Sequence, residues 1–255
     1  MKRLLLLSAF ISLFSFPLLA QDKEANDLAK QANNPLASIK SVSVHNVYTP
    51  TIYGTDATMN AFWIRYAQPI KRILIRASLP VNTLSSEGMH KSGLGDFNIF
   101  GTYILSSPTS PNQVGIGPIL TIPTATSHSL GAGKWQIGGA LAAYFANNPI
   151  FQAGLLATWQ HSFAGDDDRN KVQIATVQPF FMWQLGKGVY LRSTAISLFD
   201  LENGNYAVPL GIGIGKIIRV SKLVFNLFAE PQFTIWHQGD AMPETQYFVG
   251  INTQF

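Results

Sequence analysis

Asp166-Asp167-Asp168 is the densest group of cation-type ligands in the chain. Three adjacent carboxylates offer oxygen ligands to a divalent cation. Arg169 and Lys171 follow at once and offset part of that charge. Aspartate and asparagine also suit a turn, so a solvated loop tip is the simpler reading. Gly131-Ala132-Gly133-Lys134 suggests a phosphate loop, but Trp135 stands where Ser or Thr is needed. A strand-like run follows instead of the helix whose N-terminus would hold the phosphate. The five histidines, at 45, 90, 128, 161 and 237, form no i, i+4 pair, which gives no metal site. A lipid hydrolase would need a serine beside a histidine with an orienting asparagine. His45-Asn46 and His161-Ser162 are the loose matches. The sequence assigns no catalytic residue, no metal and no cofactor.

A second set of polar residues has a clearer pattern. Arg65, Arg72, Arg76, Asp96, Asn98, Arg192, Asn226, Glu230 and Gln232 lie in runs that alternate with apolar residues. In 72–83 the apolar set is Ile73, Ile75, Ala77, Leu79 and Val81, opposite Arg72, Arg76 and Ser78. In 94–106, Phe97, Ile99, Gly101, Tyr103 and Leu105 oppose Asp96, Asn98 and Thr102. In 222–236, Leu223, Phe225, Leu227, Ala229, Phe233 and Ile235 oppose Asn226, Glu230, Gln232 and Thr234. Period-two alternation marks a strand with different surroundings on its two faces. A charge on the lipid side of such a strand at mid-depth costs about 2–4 kcal/mol. A one-residue slip would put Arg76 or Glu230 there, so the register is strongly specified. The polar set is expected to line a lumen, either as a pore favouring anionic or polar-aromatic solutes or packed shut by pairs such as Arg76 with Asp96.

The elements that would position this set are strands almost throughout. Twelve are predicted: 38–54, 57–69, 72–83, 94–106, 113–125, 135–147, 151–164, 171–185, 189–201, 205–219, 222–236 and 245–255. The fold class is therefore all-β, a transmembrane antiparallel barrel of about twelve strands, with a soluble sandwich or lipocalin-type barrel as the alternative. An even count suits a single-chain bacterial barrel. Leu185-Gly186-Lys187-Gly188 and Asn147-Asn148-Pro149 are tight-turn sequences. Pro118, Pro179, Pro209 and Pro231 fall inside predicted strands and mark bulges or strand ends. Gly211, Gly213 and Gly215 make 205–219 look weakly packed. Trp63, Tyr66, Trp159, Tyr190, Trp236 and Tyr247 are candidates for interfacial girdles.

Composition agrees with a lipid-facing sheet. Hydrophobic residues make up 47% of the chain and charged ones 13%, against about a quarter charged in soluble domains. Residues 1–20 have a basic start, a short apolar run and Ala20 before a polar stretch, the layout of a signal peptide. Residues 21–37 form a short helix-prone segment, read as a periplasmic piece or a plug in the barrel mouth, with a disordered leader as the alternative. Residues 38–255 are the barrel. The net charge of +4 falls to about +2 without Lys2 and Arg3. No basic cluster supports nucleic-acid binding. The chain ends on alternating Tyr247, Val249, Ile251 and Phe255, an apolar face suited to lipid and to recognition by barrel-assembly machinery.

SGLGDFNIFGTYIL (92–105), VGIGPILTIPTATSHSLGAGKWQIGGALAAYF, WQHSFAGDDDRNKVQIATVQPFFMWQLGKGVYLRS and YAVPLGIGIGKIIRV together resemble a family of bacterial outer-membrane proteins labelled meta-pathway phenol-degradation proteins, or simply transporters. The resemblance runs from about Leu28 to about Phe233. It implies an outer-membrane barrel that passes small, hydrophobic or aromatic solutes, and it carries over no catalytic or ligand residues. The functional expectation is a passive channel, gated by the N-terminal segment or by loop 82–93. A closed barrel with a structural or surface-interaction role and a membrane-embedded lipid hydrolase are the alternatives.

Overall fold

The computed structural model describes residue 28 and residues 31–107 and 110–255. The expected signal peptide, 1–20, and residues 21–27, 29 and 30 of the expected N-terminal segment lie outside the described residues. Twelve antiparallel strands close into a barrel. They are β1 (Ser41–Ile52), β2 (Thr58–Ile70), β3 (Ile73–Ser86), β4 (Met89–Leu94, resumed as Phe97–Ile104), β5 (Asn112–Ile122) and β6 (Lys134–Phe145). There follow β7 (Phe151–Gly165), β8 (Gln173–Gly186), β9 (Val189–Ser193, resumed as Ser197–Asp200), β10 (Asn205–Gly211, resumed as Gly213–Val220), β11 (Leu223–Gln238) and β12 (Pro243–Gln254). Each strand pairs with its sequence neighbours, and β1 pairs with β12 from Ser41↔Gln254 through Tyr48↔Tyr247. Closure removes the free sheet edge and gives the backbone groups partners within the sheet. Among the described residues, no helix is long and apolar enough to cross a membrane.

The three interrupted strands have one physical cause. Each interruption faces a proline on the neighbouring strand. Pro80 stands opposite the Gly95–Asp96 gap, Pro179 opposite the gap 194–196, and Pro231 opposite Ile212. Proline has no N–H to give to a ladder. Its carbonyl still accepts: Gly95 N–H donates to Pro80 O at 2.9 Å and Ile212 N–H to Pro231 O at 3.2 Å. Pro209 lies at a register shift between β10 and β11. Pro179, Pro209 and Pro231 thus punctuate the ladder without breaking the barrel, whereas Pro118 lies inside the uninterrupted β5, in regular register opposite Gly139.

The start of β1 and the end of β12 lie at one end, here called the terminal end. Two-residue turns close there at 71–72, 187–188 and 221–222, each starting in the left-handed region: Lys71 (φ 54°), Lys187 (φ 51°) and Ser221 (φ 56°). Turn 146–150 and the longer connection 105–111 share this end. At the far end, connections 123–133 and 166–172 are the longest. The outer wall is apolar: Ile64, Leu141, Ile214, Leu227 and Val249 are each well exposed on it.

Candidate functional site

The inward faces meet in a lumen that is filled from both ends. At the terminal end, residues 31–33 are helical and the chain from Ala32 to Leu36 lies inside the barrel. Leu36 is 1% exposed and packs against Leu74 and Ala142, with Ala67 and Leu156 beside them. Ala32 belongs to one buried cluster with Tyr144, Phe180, Met182, Tyr190 and Ile217. Polar contacts match the fit. Asn34 Nδ2 donates to Gln113 Oε1 at 2.9 Å, Asn226 Nδ2 to Asn33 Oδ1 at 2.9 Å, and Gln254 Nε2 to the Ala32 carbonyl at 3.4 Å. Burying polar groups is tolerated only with such partners.

At the far end, connection 123–133 folds inward. Leu130 is buried, and its carbonyl accepts from Asn82 Nδ2 at 3.1 Å. Asp96, in the gap of β4, accepts the N–H groups of Ala125 (3.2 Å) and Ala132 (2.7 Å). Arg169 donates to the carbonyls of His128 (2.7 Å), Ala132 (3.0 Å) and Gly131. The expected gate at 82–93 is instead mostly strand, the hairpin of β3 with the start of β4. The segment that enters the lumen is 123–133.

Beside the inserted segment, and lined in part by Ala32, Asn34 and Ala37, lies a cavity of about 190 Å³. Arg65, Arg76, Arg192, His45 and Asn226 face it, together with Leu74, Leu156 and Phe180. Arg65 Nη1 donates to His45 Nδ1 at 2.6 Å. That nitrogen is then the acceptor, so the ring proton sits on Nε2 and is shared with Asn252 Oδ1 at 2.7 Å. His45 also makes edge contacts with Phe228 and Phe248, both at 5.3 Å between ring centres. Gly250 makes that cluster possible, because a Cβ there would lie 2.5 Å from the Phe228 ring and 2.6 Å from His45. The Arg76 guanidinium lies 4.3 Å over the Phe100 ring.

The other residues expected to line the lumen have different places. Arg192 and Glu230 form a buried ion pair, Nε to Oε2 at 2.7 Å. Glu230 also accepts from Thr194 N–H (2.7 Å), Thr194 Oγ1 (2.7 Å) and Gln232 Nε2 (3.1 Å). Thr194 begins the interruption of β9, so the carboxylate takes the place of the missing ladder acceptor. Gln178 Nε2 fills the complementary role for the Thr194 carbonyl, at 2.8 Å. Gly211 and Gly213 leave room for Glu230, since a Cβ on either would fall within 2.6 Å of its side chain. The glycine-rich stretch of β10 is therefore tightly packed, contrary to its appearance in the sequence. Asn98 Nδ2 donates to Thr121 Oγ1, which passes a hydrogen bond to Gln160. Arg72 is not in the lumen. It sits at the 71–72 turn, donating to the carbonyls of Leu105 and Ser106. The expected Arg76–Asp96 pair does not form, because Asp96 is held by connection 123–133.

Two girdle candidates also point inward. Tyr190 is fully buried and donates to Asn226 Oδ1 at 2.6 Å, and Trp63 shares the inner face with Arg65, whose guanidinium is 4.8 Å over its ring. Tyr66, Trp159, Trp236 and Tyr247 are exposed. Tyr247, Val249 and Ile251 share one face of β12, and Phe255 follows it, 52% exposed, with its N–H on the Lys40 carbonyl. The hydrolase candidates make no serine–histidine pair. The ring nitrogens of His45 are taken by Arg65 and Asn252, and Ser162 Oγ accepts from Val172 N–H. Among the described residues, no group of three or more acidic or histidine side chains is placed to hold a metal.

The barrel is shared with solved structures. The chain is similar to an outer membrane channel from Pseudomonas putida F1, at 14% identity over 85% of this chain and 94% of that one, with a TM-score of 0.67. It is also similar to the NanC porin (8% identity, 84% and 98% covered, TM-score 0.54) and to the KdgM porin (10% identity, 84% and 99% covered, TM-score 0.51). No family model and no curated protein matches the chain. The resemblance to the phenol-degradation family thus gains support for its barrel and none for that label. The chain has the closed twelve-stranded antiparallel fold found in outer-membrane channels and porins.

Proposed function

We propose that the protein is an outer-membrane channel for the passive passage of small solutes, with residues 21–37 acting as a plug at its periplasmic mouth. The observation that carries this reading is the cavity of about 190 Å³ lined by Arg65, Arg76 and His45 beside the inserted N-terminal segment. A barrel closed for stability alone would gain more from an apolar core, since buried unpaired charge is costly. The similar solved structures, channels and porins by name, support the same role. The apolar outer wall suits lipid, and the exposed aromatic face ending at Phe255 suits barrel-assembly machinery. Delivery would follow removal of residues 1–20. The solutes are small, with an apolar or aromatic body, because the lumen walls mix leucine and phenylalanine with guanidinium groups.

The test is single-channel conductance of the refolded mature chain in planar bilayers, with and without residues 21–36. Small conductance in the intact chain and a clear rise on truncation are expected. Silence in both forms refutes the channel reading.

A further inference from the structure

The cavity has a charge imbalance that the barrel does not resolve. Among the described residues that line it are three arginines and no carboxylate. Arg192 has its counter-charge in Glu230. Arg65 and Arg76 have none. They project from adjacent strands on one face, Arg65 opposite Ser78 and Arg76 opposite Ala67, which makes them diagonal neighbours. At that spacing long side chains reach a common point. Arg65 spends one N–H on His45, while its Nε is buried without a protein partner. Arg76 Nε is likewise buried and unpartnered, and the contact of that guanidinium is the Phe100 ring face. Two guanidinium groups held together with donors unspent are arranged for an anion. A carboxylate matches their planar forks. Leu74, beside Arg76 on the same strand face, and Leu156 and Phe180 from other strands supply the apolar part of the same lining. An apolar cavity of about 150 Å³ accommodates a benzene ring, and this one is somewhat larger.

We propose that the cavity is a binding site for a small carboxylate with an apolar body, the carboxylate held between Arg65 and Arg76 and the body against Leu74, Leu156 and Phe180. The inference rests on the channel reading for how the ligand reaches the site. The site would make the channel selective by holding one end of the solute by charge and the other by burial.

The test measures binding to the refolded full mature chain in detergent micelles at neutral pH. Sodium benzoate is the probe, with benzyl alcohol as its uncharged counterpart and sodium acetate as the anion without a ring. Titration calorimetry is expected to show saturable benzoate binding, with benzyl alcohol and acetate each about tenfold weaker or worse. Arg76→Gln is expected to weaken benzoate by about tenfold or more, the loss of a charge-assisted pair, and Arg76→Lys to restore part of it. Heat-modified gel migration reports whether each variant is a folded barrel. If Arg76→Gln fails to fold, the three-ligand comparison on the unaltered chain decides alone. Absence of saturable benzoate binding overturns the proposal. So does equal binding of acetate and benzoate, or of benzyl alcohol and benzoate. Benzoate flux into liposomes separates the two readings: binding without flux keeps the site and removes the channel, whereas flux without binding removes the site.

Discussion

Glu230→Gln is the sharpest perturbation of the barrel wall. The substitution keeps size and shape but removes the charge that faces Arg192. Both side chains are buried, at 6% and 0% exposure. Breaking one partner of such a pair leaves an uncompensated charge and costs about 3–5 kcal/mol. The geometry adds to this figure rather than softening it. Glu230 accepts four hydrogen bonds, including the N–H of Thr194 where β9 has no ladder partner, and a glutamine amide cannot accept on both sides of its head group. The contact of Arg192 with the Phe228 ring, 3.6 Å away, is common to parent and variant and leaves the difference unchanged. The expected effect is therefore at least about 3 kcal/mol, or roughly two orders of magnitude or more in the unfolding constant. The assay is urea unfolding of the chain refolded in lipid vesicles, followed by tryptophan fluorescence. The paired substitution Arg192→Met with Glu230→Leu removes both charges, and it is expected to recover most of the stability. A Glu230→Gln barrel within about 0.5 kcal/mol of the parent would refute the view that this pair mends the interruption opposite Pro179.

Three further outcomes follow from the same geometry. Asp96→Ala removes the acceptor for two N–H groups of connection 123–133, a loss of about 2 kcal/mol to that segment's docking; protease cleavage within 123–133 should quicken, and unchanged cleavage would mean that the segment is held by other contacts. Gly213→Val places side-chain atoms where Glu230 and the Ala229 carbonyl already lie, so folding yield from urea should fall sharply, whereas Gly88→Ala, at a turn with open space, should cost far less, chiefly through its left-handed backbone. Phe255→Ala should leave refolding into vesicles nearly unchanged but reduce the amount assembled in cell envelopes, and equal envelope levels would count against a recognition role for the terminal aromatic.

The sequence by itself determined the barrel. Alternation is a property of each strand and its two surroundings, so it is written locally: Ile73 to Val81 on one face and Arg76 and Ser78 on the other need no knowledge of the neighbours. The twelve predicted strands therefore coincide with the twelve observed to within a few residues at most ends, and the prolines at 179, 209 and 231 mark places where the ladder shifts or stops. Partnership was not legible. Whether Asp96 meets Arg76 or the amides of Ala125 and Ala132 depends on how a distant connection folds into the mouth. Alternation assigned Arg192 and Glu230 to the inner face but could not show that they meet each other, 38 residues apart in sequence. The glycines of β10 read as weak packing because the side chain that fills their space, Glu230, belongs to another strand. Tyr190 and Trp63 carry the composition of a girdle, and only the register turns them inward. Tertiary structure decided these points because each is a contact between residues remote in the chain, and a pattern with a period of two records a face without recording what stands opposite it.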